Sequence, residues 1–177
     1  MTQNRPQASE YAPYYQKYVA LVPDGEIVET LQAQLGEMKV LLPTLSEEEG
    51  EFRYAAGKWS IKEVLGHISD SERVFAYRLL RIARADQTPL AGFEQDDYVK
   101  AGNFSARPLG DLLDEFTAVR RATIAFVQSL DEAAWLRRGV ANQNDISVRA
   151  QVFVIAGHER HHRVVLQEQY FPALPRG

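Results

Sequence analysis

The chain has 177 residues, 45% apolar and 25% charged, with no cysteine and a formal charge of −4. That length suits one domain with a core of its own. The absence of thiols excludes disulfides and thiolate ligands, and the negative balance argues against nucleic acid as the main partner. No apolar run approaches the length of a membrane span. The opening MTQNRPQASEY lacks the charged-then-apolar pattern of a signal peptide, so a cytoplasmic protein is expected.

Residues 1–24 are aromatic-rich (Tyr11, Tyr14, Tyr15, Tyr18) and end at Pro23-Asp24-Gly25, which reads as an arm packed on the domain or at a subunit interface. From Glu26 to Leu42, Ile27, Leu31, Leu35, Met38 and Leu42 recur at helical spacing, with Asp24 as the expected cap and Pro43 as the stop. The second helix opens on Ser60-Ile61-Lys62-Glu63, a capping box in which hydroxyl and carboxylate each satisfy an orphan N–H. Trp59 and Val64 stand where a hydrophobic staple belongs, and Ile61, Leu65, Ile68, Phe75, Leu79 and Ile82 run down one face. Residues 85–107, broken by Pro89, Gly92 and Gly102, form a connection too long to be idle: it covers a site or crosses the fold. A third helix follows Pro108, with Leu109, Leu113, Phe116, Thr123, Val127 and Leu130 as its stripe. A short turn at Asp131–Leu136 and a polar stretch, Gly139–Asp145, lead to a fourth helix capped by Asp145 or Ser147 and ended near Tyr170 by Pro172. No strand alternation is evident. The expected architecture is all-α, a four-helix bundle over residues 25–172 with one long crossover, and a tail at 173–177.

The histidines carry the chemistry. There are four, and His158, His161 and His162 fall within five residues of one another. On the fourth helix His158 and His162 share a face with Ile155 and Val165, one turn or about 6 Å apart. Two imidazoles so placed converge on one ion at roughly 2.0–2.1 Å each. His158 with His161 is also geometrically feasible, but His161 shares its line with Gly157, Val164 and Glu168, a less apolar face. A third ligand must cross from another helix, and His67, beside the apolar stripe of the second helix, is the histidine left to supply it. The run His158-Glu159-Arg160-His161-His162 also spells H-E-x-x-H, but Arg163-Val164-Val165-Leu166 replaces the Gly and third His of metzincins. Glu159 therefore reads as a solvated or capping residue, or one near the site. Imidazole donors suit zinc or nickel first, then iron, copper or manganese.

Two charges interrupt core stripes: Glu72 between Ile68 and Phe75, and Arg120 between Phe116 and Thr123. Such charges are costly unless paired or functional. They are expected either to pair across the bundle or to orient a ligand imidazole. Arg73, Arg78, Arg81 and Arg84 either attract an anionic cofactor or form a solvated face. Phe93, Tyr98 and Phe104 line a pocket or pin the connection.

Gly57-Lys58-Trp59-Ser60-Ile61-Lys62-Glu63-Val64-Leu65-Gly66-His67, followed by Asp70-Ser71-Glu72-Arg73, resembles the second-helix motif of the DinB/YfiT superfamily. Gly157-His158-Glu159-Arg160-His161-His162 resembles its fourth-helix motif. The resemblance runs from Pro23 to Tyr170. It implies a metal-binding four-helix bundle whose three ligands fall on His67, His158 and His162, often in a homodimer. It also implies a choice of activities. One is a thiol S-transferase that activates a low-molecular-weight thiol such as bacillithiol, and another is a hydrolase using metal-bound water. The third is a non-enzymatic metal-holding or small-molecule-binding stress-response bundle. In a chain without cysteine, any thiolate comes from cofactor or substrate.

Overall fold

The computed structural model describes residues 5–175, so the first four residues of the arm and the last two of the tail lie outside it. Four long helices form the bundle: α2 (Ile27–Leu41), α4 (Ile61–Ala83), α6 (Leu109–Gln128) and α8 (Val148–Val165). Short helices stand between or before them: α1 (Gln16–Val19), α3 (Glu47–Gly50), α5 (Gln95–Gly102) and α7 (Glu132–Trp135). None of the described helices is long and apolar enough to cross a membrane.

Local chemistry accounts for most of the ends. The Ser60 hydroxyl accepts from Glu63 N at 3.2 Å while Glu63 Oε2 accepts from Ser60 N at 2.7 Å, closing the capping box of α4. Ser147 caps α8 by accepting from Ala150 N at 3.0 Å, and Asp131 caps α7. Asp24 does not cap α2. It accepts from Arg5 at 3.1 Å, and Glu26 occupies the cap position without a side-chain bond.

Two segments depart from the sequence expectation. Residues 138–147 are not a plain polar stretch but an antiparallel hairpin, β1 (Arg138–Ala141) and β2 (Asn144–Ser147), with Ala141 opposite Asn144. Its two-residue turn, Asn142-Gln143, holds both residues at positive φ (50° and 63°), the geometry that matches strand twist. Gln in place of the usual Gly hides that turn in the sequence. The long connection also carries structure, since it contains α5, and Leu90 exchanges backbone bonds of 2.9 Å with Val140 and Asn142. Phe104 pins it to α4, packing so close to Gly66 that a Cβ there would collide with the ring.

The core is split in two. One hydrophobic cluster joins Ile27 and Leu31 of α2, Phe75–Ala83 of α4, Ile124 and Val127 of α6, and Val148–Ala156 of α8, with Tyr11, Tyr18, Val19 and Val22 of the arm. The other joins Met38, Ile61–Ile68, Leu109–Phe116 and Leu166. Between them each long helix contributes buried polar groups: Gln34, then Ser71 and Glu72, then Arg120 and Thr123, then His158 and Glu159. A polar belt thus crosses the bundle at mid-height, and every candidate site residue lies in or beside it.

The arm follows α8. Glu10 accepts from Ser147 Oγ at 2.7 Å and from Arg149, and Arg5 donates to the carbonyls of Val19 and Val22, each at 2.6 Å. Gly157 allows the approach, because a Cβ there would run into the Tyr18 carbonyl.

Candidate metal centre

Packing of α4 against α8 brings His67 to His158 and His162. One ring nitrogen from each lies within 4.8 Å of the other two, and the Nε2 atoms of His67 and His158 are 3.2 Å apart. Ring centroids are separated by 5.0 Å (His67–His158), 4.7 Å (His67–His162) and 4.6 Å (His158–His162). Two nitrogens at roughly 2.0–2.1 Å from one tetrahedral ion sit about 3.3 Å apart, so the His67–His158 spacing suits a shared ion.

The surroundings keep these rings neutral. His67 is 2% exposed and His158 5%, while His162 is half-buried. Burial, reinforced by His161, pushes His67 down to about 4. Burial and the neighbouring imidazoles push His158 and His162 well below the usual histidine range. Trp59 (4.7 Å from His67), Phe75 (5.4 Å from His158) and Tyr18 (5.3 Å from His158) form an aromatic jacket. Ser71 Oγ stands 3.4 Å from His67 Nδ1, on the ring edge away from the cluster. The cluster opens on a cleft of about 270 Å³ reached by His67 and His158 and walled by Tyr14, Tyr15, Phe75 and Arg78.

His161 is left out of this convergence. It is half-buried and packs edge-on against Tyr18 at 5.5 Å. Glu159 departs from the solvated role expected of it. It is 1% exposed, since α8 is enclosed on all sides along its first three turns. One oxygen accepts from Arg163 Nε at 3.0 Å and the other is unpartnered; burial pushes the carboxyl up to about 7 against the pull of Arg120 and Arg163.

Glu72 and Arg120 pair with each other, and no imidazole is among their hydrogen-bond partners in the described residues. Arg120 Nε donates to both Glu72 oxygens (2.8 and 3.0 Å), Nη2 donates to Oε2 at 2.8 Å, and Nη1 donates to Gln34 Oε1 at 2.9 Å. Gln34 in turn donates to the Ala156 carbonyl at 2.8 Å, so one network ties all four long helices. Two of the three α4 arginines, and Arg84 just beyond the helix, are occupied at the surface: Arg73 by Glu115 at 2.6 Å, Arg81 by Asp86, and Arg84 over the Phe126 ring at 5.3 Å. Arg78 turns into the cleft instead. Of the loop aromatics, Phe93 lines the cleft, Tyr98 packs against Phe93 at 5.1 Å with the rings tilted, and Phe104 is the pin described above.

Sequence reasoning did not assign Tyr14, Tyr15, Tyr18 or Asn142 to the cleft. Clustered tyrosines were the only signal, and only the arm's return over α8 gives it meaning. Gln34 did leave a trace, as a polar residue three positions after Leu31 within an apolar stripe.

Comparison with known proteins gives the family and the fold. A protein of Oceanobacillus iheyensis described as a "putative metal-dependent hydrolase" is 27% identical over 137 residues, 76% of each chain. The fold is similar to that of YfiT from Bacillus subtilis, described as "a probable metal-dependent hydrolase with an unusual four-helix bundle topology". The TM-score is 0.74 at 14% identity, over 93% of this chain and 90% of that one. The family model of the DinB superfamily matches residues 30–166, and the chain belongs to that superfamily.

Proposed function

We propose that His67, His158 and His162 hold one divalent transition metal ion, zinc or nickel first among the candidates, and that the protein is a metal-dependent enzyme acting on a small molecule. The observation that carries this reading is the convergence of three neutral imidazoles, two of which, His67 and His158, line an aromatic-walled cleft. Three neutral donors leave the charge of the ion intact and leave positions open. When bound, the ion would lower the pKa of a thiol or water placed beside it. The chain's own residues do the rest. Ser71 Oγ, 3.4 Å from His67 Nδ1, is placed to accept from Nδ1–H in the tautomer that leaves the Nε2 lone pair free to ligate. Trp59, Phe75 and Tyr18 exclude bulk water and hold the rings in place.

The nucleophile we favour is the thiol of a small molecule such as bacillithiol, which gives up its proton and forms a C–S bond at an electrophilic carbon of the substrate as the leaving group departs from that carbon with the bonding electron pair. The second reading, hydrolysis with water as nucleophile, is favoured by the name of the Oceanobacillus relative. We extend the proposal to a homodimer, which light scattering of the purified protein tests, and to a cytoplasmic location, which fractionation of the source cells tests.

The first test is elemental analysis of tag-free protein against a His158→Ala/His162→Ala variant. Near-stoichiometric metal in the parent and its loss from a folded variant is the expected result. Little metal in both, after zinc, nickel and manganese are offered, overturns the reading. With the metal known, turnover that requires an added thiol supports transfer, and thiol-independent cleavage supports hydrolysis. Retained metal without turnover leaves a binding bundle.

A further inference from the structure

Arg78 is a buried cation without a counter-charge. It is 3% exposed, its Nε has no hydrogen-bond partner, and Nη2 donates to the Ala91 carbonyl. Among the described residues no carboxylate lies within ion-pairing distance of it. Burial pushes its pKa down, and only the Tyr15 hydroxyl pulls the other way. The guanidinium packs beside an edge-to-face pair of aromatic rings, 5.9 Å from the centroids of both Phe75 and Phe93, which are 6.5 Å from each other. The other two buried arginines among the described residues have carboxylates: Arg120 has Glu72, and Arg163 has Glu37 and Glu159. A guanidinium taken out of water with one donor idle is costly, and the cost persists only where something returns it.

Its position indicates what that is. Arg78 lines the same cleft as His67 and His158, and Phe75 touches both ends, 5.9 Å from Arg78 Cζ and 5.4 Å from the His158 ring. On α4, His67, Ser71, Phe75 and Arg78 follow one another at spacings of four, four and three residues, along one face. We propose that Arg78 is the oxyanion subsite of this cleft, binding a carboxylate or phosphate group of the substrate whose reacting end lies at the histidines. The inference deepens the function proposed above and rests on it for the placement of the reacting end.

An oxyanion supplies both things the site lacks, an acceptor for Nε and a negative charge, through the planar fork that guanidinium offers. Low polarity from Phe75 and Phe93 strengthens that pairing. Glu94 and Asp96 sit exposed at the mouth of the cleft, so a ligand with one anionic group inside and a neutral or cationic end outside fits best. The wall next to Arg78 is built by Tyr14 and Tyr15, which precede the segment matched by the family model. Choice among anionic substrates is therefore assigned partly to the arm.

The test is a titration of the Arg78 side-chain Nε–H resonance, assigned through bonds in nitrogen-15-labelled protein, with succinate, inorganic phosphate and neutral succinamide. It is run on metal-free and zinc-treated protein. A saturable shift with succinate or phosphate but not succinamide is the expected result, and the anion that acts identifies carboxylate or phosphate. Calorimetry should show binding weakened about tenfold or more in Arg78→Lys, which keeps the charge but loses the fork. No shift in the parent, or an equal shift with succinamide, overturns the inference even if the variant does not fold. Unchanged affinity in a folded variant also overturns it. An anion response in protein that takes up no zinc leaves the subsite standing and removes the metal reading; zinc uptake without an anion response does the reverse.

Discussion

Arg120 and His158 both belong to the polar belt and both are buried, yet their surroundings are opposites. Arg120 is saturated: Glu72, Gln34 and the Leu31 carbonyl receive its donors, and the partners come from two other helices. His158 faces two more imidazoles across a few ångströms, with no carboxylate in the group. A saturated network has nothing left to offer a ligand, whereas three converging neutral imidazoles still have ring nitrogens that can turn to an ion. Burial of a polar residue therefore does not mark a site in this bundle. The valence left over after the protein has satisfied itself does.

The strongest way to break that comparison is to unpair the network. Arg120→Met leaves Glu72 buried without its partner and should cost about 3–5 kcal/mol in urea unfolding, with metal content per folded molecule unchanged. Adding Glu72→Leu should recover most of the loss, since a buried pair replaced by apolar side chains is often neutral. If the single variant loses its metal but keeps its stability, the network belongs to the site after all.

The histidine cluster should respond in the opposite way. At one hundred times its dissociation constant a ligating metal adds about 2.7 kcal/mol to the stability of the protein. Chelation should lower the melting temperature of the loaded parent and leave His158→Ala/His162→Ala unmoved. Equal responses would mean that the ion binds elsewhere.

Smaller effects probe the arm. Gly157→Ala places a methyl group against the Tyr18 carbonyl and should cost ~1–3 kcal/mol, through displacement of the arm rather than of the bundle. Hydrogen exchange confined to residues 8–22 would show this, and uniform exchange across α8 would contradict it. The smallest effect is that of pH on Glu10. Burial raises its pKa, but Arg149, the Gln7 N–H and Ser147 together outweigh burial and the net shift is downward. A lowered folded pKa means that this anchorage is fully present above the ordinary carboxylate value of 4.5 and is lost as pH falls through the lower folded one. Proteolysis of the arm should accelerate below that range in the parent, while Glu10→Gln should show no such step.

Much of the bundle could be read directly from the chain because it is written locally. The Ser60–Glu63 box, the Ser147 cap and the stripes of α4 and α6 depend on residues within a turn or two of each other. The His158–His162 spacing is local in the same sense, and so are the polar interruptions at Glu72 and Arg120. The hairpin escaped notice because Asn142-Gln143 is an uncommon pair for a turn with both residues at positive φ. Glu159 was misplaced because α8 is enclosed on every side, and an enclosed helix carries no periodic mark of which face is out.

Periodicity and capping within the chain determined the four long helices, the pair of histidines one turn apart and the two charges that had to find partners. Tertiary packing alone decided that His67 meets that pair, that Glu72 closes on Arg120 while Arg78 is left without a carboxylate, and that three tyrosines from the arm wall the cleft. The physical reason is range. Caps and stripes are set by neighbours a few residues away, but His67 and His158 are 91 positions apart, and their 3.2 Å separation exists only once α4 and α8 have packed.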